Sequence, residues 1–269
     1  MKYKLIASDL DGTLLNDASE VTAGAERAVS LAVGAGVRFA VVSGRSRKSL
    51  QRFEERLGLA APGCYGIGFN GGLVYDARTR EALLDRRLEN APAKEVLAAL
   101  KELGADAVVY VGDRLLAERA TPEIEAYAAS SGLPIELVRF GGLDCPVSKL
   151  LVRGEPEKLT AIARHMAGII AGKASMTRTS GRLLEFGDPD SHKNAGLEFL
   201  CARLGVSMGE VIAIGDNEND IPMIKAAGLG VAVANAIDAA KEAARYVTAA
   251  TNNGDAVLEV VERFVMGRG

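Results

Sequence analysis

Lys4-Leu5-Ile6-Ala7-Ser8 running into Asp9-Leu10-Asp11-Gly12-Thr13-Leu14-Leu15 is the stretch on which the reading of this chain turns. Lys4 to Ala7 is a short apolar strand, and it delivers two carboxylates directly into a turn built on Gly12 and Thr13. In an open parallel sheet the ligand crevice lies beyond the carboxyl ends of the strands, so both acids stand where substrates bind. Acids that close repel each other unless a cation or a shared proton compensates, while Gly12 and Thr13 can turn backbone N–H groups toward an anion. A divalent metal reconciles the two demands. A bare Asp-x-Asp is ordinarily a solvated acidic turn; the strand before it and the Gly-Thr after it argue for a site.

Outward from that motif the first third of the chain alternates strand and helix. Thr22 to Ala35 is helical, opened by a Thr cap and closed by Gly36. Val37 to Val42 reads as a second strand, Ser46 to Leu57 as a second helix and Cys64 to Phe69 as a third strand. The last third repeats the pattern: helix Lys193 to Leu204, strand Val211 to Ile214, helix Ile221 to Ala226, strand Gly230 to Val233, helix Ile237 to Ala244, strand Tyr246 to Thr248 and helix Asp255 to Val265. Alternation at this pitch means right-handed crossovers and a doubly wound parallel sheet to which both ends contribute, an α/β, Rossmann-like core.

The middle differs. Val108 to Val111 and Leu115 to Glu118 flank Gly112-Asp113-Arg114 as an antiparallel hairpin. A helix starting at Thr121-Pro122, strands at Ile135 to Phe140 and Lys149 to Val152, a helix from Glu157 to Ile170 and a hairpin around Gly181 complete a mixed α+β pattern. The expected organisation is a core domain of residues 1–82 and 189–269 with a second domain, 83–188, inserted. A length of 269 residues suits two such domains.

Composition narrows the function classes. Hydrophobic residues make up 48% and charged residues 25%, so the chain should fold throughout. The net charge of −3 gives no broad basic surface for nucleic acid or an anionic membrane. The longest uncharged run, Leu57 to Tyr75, holds six Gly, one Pro and one Asn and reads as strand and turn, not a membrane span. Cys64, Cys145 and Cys201, an odd set at wide spacing, suit neither a disulfide framework nor a zinc knuckle. With no export signal at the N-terminus, a reducing cytoplasm is the expected location.

Three further segments put polar groups at strand ends or helix starts of the same sheet. Ser43-Gly44-Arg45 follows the second strand, and a hydroxyl beside a Gly amide suits a phosphate oxygen, though Ser-Gly there is commonly only a helix cap. Lys193 in Ser191-His192-Lys193-Asn194 opens a helix, where a cation is unfavourable against the helix dipole and wants an anion. Gly215-Asp216-Asn217-Glu218-Asn219-Asp220 concentrates three acids and two amides after a strand. Magnesium takes only one or two protein carboxylates, so Asp9 and Asp216 suffice, with Asp220 behind them to orient the ligands or the Lys193 ammonium. An Asx-rich turn is the ordinary alternative.

These four segments, in order, resemble the haloacid dehalogenase-like hydrolase superfamily, whose signature is a DxDGT motif, a Ser or Thr after the second strand, a Lys further on, and GDxxxD. Phe69-Asn70-Gly71-Gly72 and the insertion between the second and third motifs look like the Cof-type subfamily with its α/β cap. One departure is Asp190-Ser191-His192-Lys193-Asn194 in place of the more usual Val-Ser-Lys-Gly. The resemblance implies a magnesium-dependent phosphatase of small phosphorylated metabolites, sugar phosphates or similar, working through an aspartyl-phosphate. It implies Asp9 as nucleophile and metal ligand, Asp11 as general acid and base with its backbone carbonyl on the metal, and Asp216 as metal ligand. Lys193 would neutralise charge; Leu10, Ser43, Gly44 and Asn219 would hold the transferring phosphoryl group. A phosphotransferase or phosphomutase of the same family is the nearest alternative. A receiver-like switch phosphorylated on Asp9 is the alternative from another class, disfavoured by an insertion of about a hundred residues that a switch does not need.

Two weaker motifs are set aside. Gly66 to Gly71 matches G-x-G-x-x-G, but Leu73-Val74-Tyr75 follows as an extended run, so no helix N-terminus meets a pyrophosphate. Gly168 to Ala174 is one residue short of a P-loop and lacks the Ser or Thr after Lys173.

Overall fold

The computed structural model describes residues 2–268, and of Ser180 the backbone alone. In chain order β1 (Leu5–Asp9), α1 (Ala23–Gly34), β2 (Arg38–Val42), α2 (Arg47–Arg56), β3 (Cys64–Gly68), β4 (Leu73–Asp76) and β5 (Ala82–Asp85) come first. They are followed by α3 (Asn90–Glu102), β6 (Ala107–Val111), β7 (Arg114–Ala117), α4 (Pro122–Ser131), β8 (Ile135–Leu137), β9 (Lys149–Arg153), α5 (Pro156–Ile170), β10 (Ser175–Ser180) and β11 (Leu183–Gly187). The chain closes with α6 (Lys193–Leu204), β12 (Val211–Gly215), α7 (Ile221–Ala226), β13 (Leu229–Ala232), α8 (Asp238–Ala243), β14 (Tyr246–Val247) and α9 (Ala256–Phe264). These elements form two compact units: residues up to 44, 50–84 and from 192 onward in one, 45–49 and 85–191 in the other.

The first unit is built on an eight-stranded sheet of order β14-β13-β12-β1-β2-β3-β4-β5. The six strands from β14 to β3 pair in parallel, as the alternation of strands and helices requires. All five residues of β1 are buried, because helices cover both faces of a parallel sheet and leave no polar face to alternate. On one face Leu5, Ala7, Ala40, Val42 and Ile67 pack against Leu197, Leu200 and Cys201 of α6. The register matters more than the core. Asp9 lies opposite Val42, one residue before Ser43, and Ser8 lies opposite Ile214, two residues before Asp216. Sequence-distant motifs are thereby brought to one sheet edge.

The strand after the G-x-G-x-x-G stretch, β4, returns antiparallel to β3, as expected of a run that is not a dinucleotide-binding helix. Thr22 caps α1, its hydroxyl accepting from the Ala25 N–H at 3.0 Å.

The second unit carries a six-stranded sheet, β10-β11-β9-β6-β7-β8, antiparallel except for the β7–β8 pair. Leu97 and Leu100 of α3 and Leu159, Ile162 and Met166 of α5 cover one face of it, against Val109, Leu150 and Leu184. Lys149 and Glu185, both buried, pair at 2.7 Å. The β6–β7 hairpin turns on Gly112, whose φ of +59° favours glycine. One expectation is corrected: the strand sought at Ile135 to Phe140 stops at Leu137. Phe140 gives its N–H to Glu118 Oε1 at 2.9 Å instead of to a ladder, and Phe140–Gly142 closes into a single turn.

Candidate active site

Asp9 ends β1, and the chain then folds into one turn over Leu10–Leu14, closed by the Leu15 N–H donating to the Leu10 carbonyl at 2.9 Å. Gly12 takes a φ of +82°, and a Cβ there would stand 2.7 Å from Asp216 Oδ2, so both conformation and space demand glycine. Thr13 is buried and donates its hydroxyl to Asp216 Oδ1 at 3.0 Å. The Asp-x-Asp-Gly-Thr turn and the Asp216 loop are thus locked side by side.

Lys193 is the first residue of α6 and is only 2% exposed. Its ammonium donates to Asp9 Oδ1 at 2.5 Å and to Asp220 Oδ1 at 2.6 Å. Asp220 Oδ2 in turn accepts the N–H groups of Asp216 and Asn217 at 3.1 and 3.0 Å. Both oxygens of Asp220 are therefore committed, which suits a residue that orients the others. Burial pushes the Asp9 carboxyl well above its usual range; Lys193 opposes the shift, and Asp220, Asp216 and Asp11 add to it. Asp216 is raised by burial and then by the charge of Asp220. For Lys193 burial alone would lower the pKa, but Asp220 and Asp9 override it and hold the ammonium charged.

One ligand oxygen from each of Asp9, Asp216 and Asp220 falls within 4.8 Å of the others. Lys193 holds Oδ1 of Asp9, Thr13 holds Oδ1 of Asp216, and the Asp9 and Asp216 carboxyl groups are within hydrogen-bond reach of each other, so the two acids converge on one spot beside Asp220. Crowded carboxylates whose burial opposes their own ionisation, offering hard oxygen donors, fit a small divalent cation.

The remaining expected residues fall around this cluster. Asp11 is exposed in the turn, and its charge is felt at Asp9. Leu10 is fully buried. Ser43 is buried at the end of β2, its N–H donating to the Ile67 carbonyl at 2.8 Å and its carbonyl accepting from Asn70 N–H at 3.0 Å; Gly44 follows it. Asn219 donates its amide to Asn70 Oδ1 at 3.2 Å. Asn70 thus joins the Ser43 loop to the Asn219 loop, whereas the Phe-Asn-Gly-Gly stretch had carried a family resemblance and no role for Asn70. The departure at His192 also has a local reason. His192 caps α6, its Nδ1 accepting from Ala195 N–H at 3.1 Å, while Gly71, with φ of +99°, lets the chain pass against the His192 carbonyl where any Cβ would collide.

The haloacid dehalogenase-like hydrolase family model matches residues 6–261. The phosphoglycolate phosphatase of Methanothermobacter thermautotrophicus is 31% identical, over 97% of this chain and 99% of its own. The 5-amino-6-(5-phospho-D-ribitylamino)uracil phosphatase YcsE of Bacillus subtilis is 29% identical, over 98% and 96%. Among solved structures, a haloacid dehalogenase-like hydrolase from Bacteroides thetaiotaomicron superposes with a TM-score of 0.89 at 30% identity, covering 97% of this chain and 99% of that one. Agreement of sequence, fold and length over nearly the whole molecule leaves one conclusion: this chain belongs to the haloacid dehalogenase-like hydrolases.

Proposed function

We propose that the chain is a magnesium-dependent phosphatase that hydrolyses small phosphorylated metabolites, sugar phosphates or molecules like them, through a phosphoryl group carried on Asp9. The observation that carries the reading is the buried Asp9–Lys193–Asp220 array at the end of β1, with Asp216 beside it. Named relatives that act on phosphoglycolate and on a phosphoribityl compound support the substrate class.

Asp9 attacks phosphorus through a carboxylate oxygen, its charge countered by the Lys193 ammonium. The new bond is Asp9 oxygen to phosphorus; the bond that breaks joins phosphorus to the alcohol oxygen, which takes a proton from the Asp11 carboxyl. Water then attacks phosphorus, its proton passes to Asp11, and the Asp9 carboxylate leaves with the bonding pair. Lys193 offsets the repulsion between carboxylate and phosphate. The Ser43 hydroxyl and backbone N–H groups near Leu10 and Gly44 hold the transferring oxygens, and Asn219 borders them. A magnesium ion held by Asp9, Asp216 and the Asp11 carbonyl supplies, when bound, further positive charge against the phosphoryl oxygens. Residues 83–188 serve as a cap that discriminates among substrates. Buried, unpaired Cys64 and Cys201 suit a reducing cytoplasm.

The test is phosphate release by the purified protein, with magnesium, across sugar phosphates, nucleotides, pyridoxal phosphate and phosphoglycolate. Turnover of at least one, abolished by chelator, is the expected result. Transfer of the phosphoryl group to a second sugar would favour a mutase, and phosphorylation of Asp9 without turnover a switch.

A further inference from the structure

We propose that Asn235 is a positioning residue, which holds the turn bearing Asp9 in register with the loop bearing Asp216. The proposal rests on reading those two carboxylates as the working pair. Asn235 lies just beyond β13, in a segment, residues 233–237, that touches both loops through distinct groups. On one side the Val233 N–H donates to the Gly215 carbonyl at 3.2 Å, and the Ile237 N–H donates to the Asp216 carbonyl at 2.9 Å. On the other the Asn235 side-chain amide donates to the Gly12 carbonyl at 2.8 Å.

Asn235 is itself held. Its Oδ1 accepts the Asn252 N–H at 2.8 Å. Asn252 is buried and donates its own amide to the Leu15 carbonyl and to Asp17 Oδ1, each at 3.0 Å. Asp17 is clamped further, its Oδ2 accepting from Asn253 Nδ2 at 2.8 Å and its N–H donating to Asn253 Oδ1 at 3.0 Å. The turn is thus gripped at Gly12, Leu15 and Asp17 by Asn235 and the 252–253 pair that holds it.

The chemistry asks for an amide at position 235. One atom must donate to a carbonyl while its neighbour accepts from an N–H, and Asn does both with two rotatable bonds. Asp keeps only the acceptor and sets a second oxygen against the Gly12 carbonyl. Gly12 sits where a small drift matters, since Asp216 leaves no room for a Cβ there. Placement errors of an ångström at reacting groups cost rate far out of proportion to stability. Asn235 is exposed, so truncating it opens no cavity in the core.

The test compares Asn235→Ala and Asn235→Asp with the wild-type chain. With p-nitrophenyl phosphate, both variants are expected to lose at least tenfold in kcat, with KM within threefold, and to need several-fold more magnesium for half-maximal rate. Far-UV circular dichroism and the unfolding midpoint should stay close to wild type. An activity-independent measurement runs alongside, on metal-free protein. Amide hydrogen exchange at Leu15, which closes the turn, should accelerate at least tenfold in both variants, while exchange in β1 and β12 stays unchanged. A kcat within twofold of wild type, or unchanged Leu15 exchange, overturns the proposal. An inactive wild-type protein would refute the phosphatase reading instead, and the exchange measurement would still decide the role of Asn235.

Discussion

Lys193→Met removes a buried cation from between two acids and keeps the side chain's length. The ammonium lies 2.5 Å from Asp9 Oδ1 and 2.6 Å from Asp220 Oδ1, and the residue is 2% exposed, so water cannot take its place without reorganisation. Breaking a buried ion pair by deleting one partner costs about 3–5 kcal/mol, most of it from the charge left behind. The stranded carboxylates can escape by taking up protons, each tenfold gain in proton affinity corresponding to about 1.4 kcal/mol. In the variant the native state then binds more protons than the unfolded chain, whose carboxyls titrate normally, so stability falls as pH rises above the ordinary carboxylate range. Urea unfolding in EDTA should show a loss of about 3–5 kcal/mol at pH 8 and a clearly smaller one at pH 5.5. Adding Asp220→Asn, which removes one stranded charge and retains an oxygen for the Asp216 and Asn217 N–H groups, should restore part of that loss. A loss under about 1 kcal/mol at pH 8, or the same loss at both pH values, would refute the counter-ion argument.

Further outcomes follow from other parts of the molecule. Asp216→Ala should raise the magnesium needed for half-maximal rate at least tenfold, and wild type dialysed against EDTA should be inactive until magnesium returns; full activity in EDTA contradicts the metal assignment. Burial pushes the thiols of Cys64 and Cys201 up to about 11, while Cys145 is partly exposed, so a disulfide reagent at pH 8 should titrate one thiol in native protein and three in urea. Two fast native thiols would show a looser core than described. Glu54 is buried, accepts from the Tyr75 hydroxyl at 2.5 Å and pairs with Arg80, yet burial dominates and raises its pKa above 4.5. The native state therefore holds this proton longer than the unfolded chain, and stability is lost as pH climbs from 4.5 through the folded pKa. Glu54→Gln should show a shallower fall above pH 4.5 than wild type; parallel curves count against the assignment.

Much of this was legible because it is local. The strand running into Asp9, the Gly12 turn, the Thr22 cap and the Gly112 hairpin each declare themselves within a few residues. The abutment of β1 with β2 and β12 follows from how a doubly wound sheet orders its strands, and it alone brings Ser43 and Asp216 beside Asp9. Less legible were residues whose partners lie far along the chain. Asn70 joins Ser43 to Asn219, although the Phe-Asn-Gly-Gly stretch that contains it suggests no such role, and Asn235 reaches Gly12 with neither a charge nor a pattern to distinguish it from an ordinary turn asparagine. His192 looked like a defect in a motif until the N-terminus of α6 showed what it caps. The strand at Ile135 ends three residues earlier than its sequence suggests, with Phe140 bonded to the Glu118 side chain in place of a neighbouring strand.

Whether Asp9 forms a covalent bond to phosphorus is read from the kcat of Asp9→Asn. Asn is nearly isosteric, and its carbonyl can still accept from Lys193, so the fold persists while the nucleophile is gone. With magnesium and a reactive aryl phosphate the account predicts a kcat more than about a thousandfold below wild type. Retention of a tenth of the wild-type rate, a barrier change of only about 1.4 kcal/mol, would contradict it.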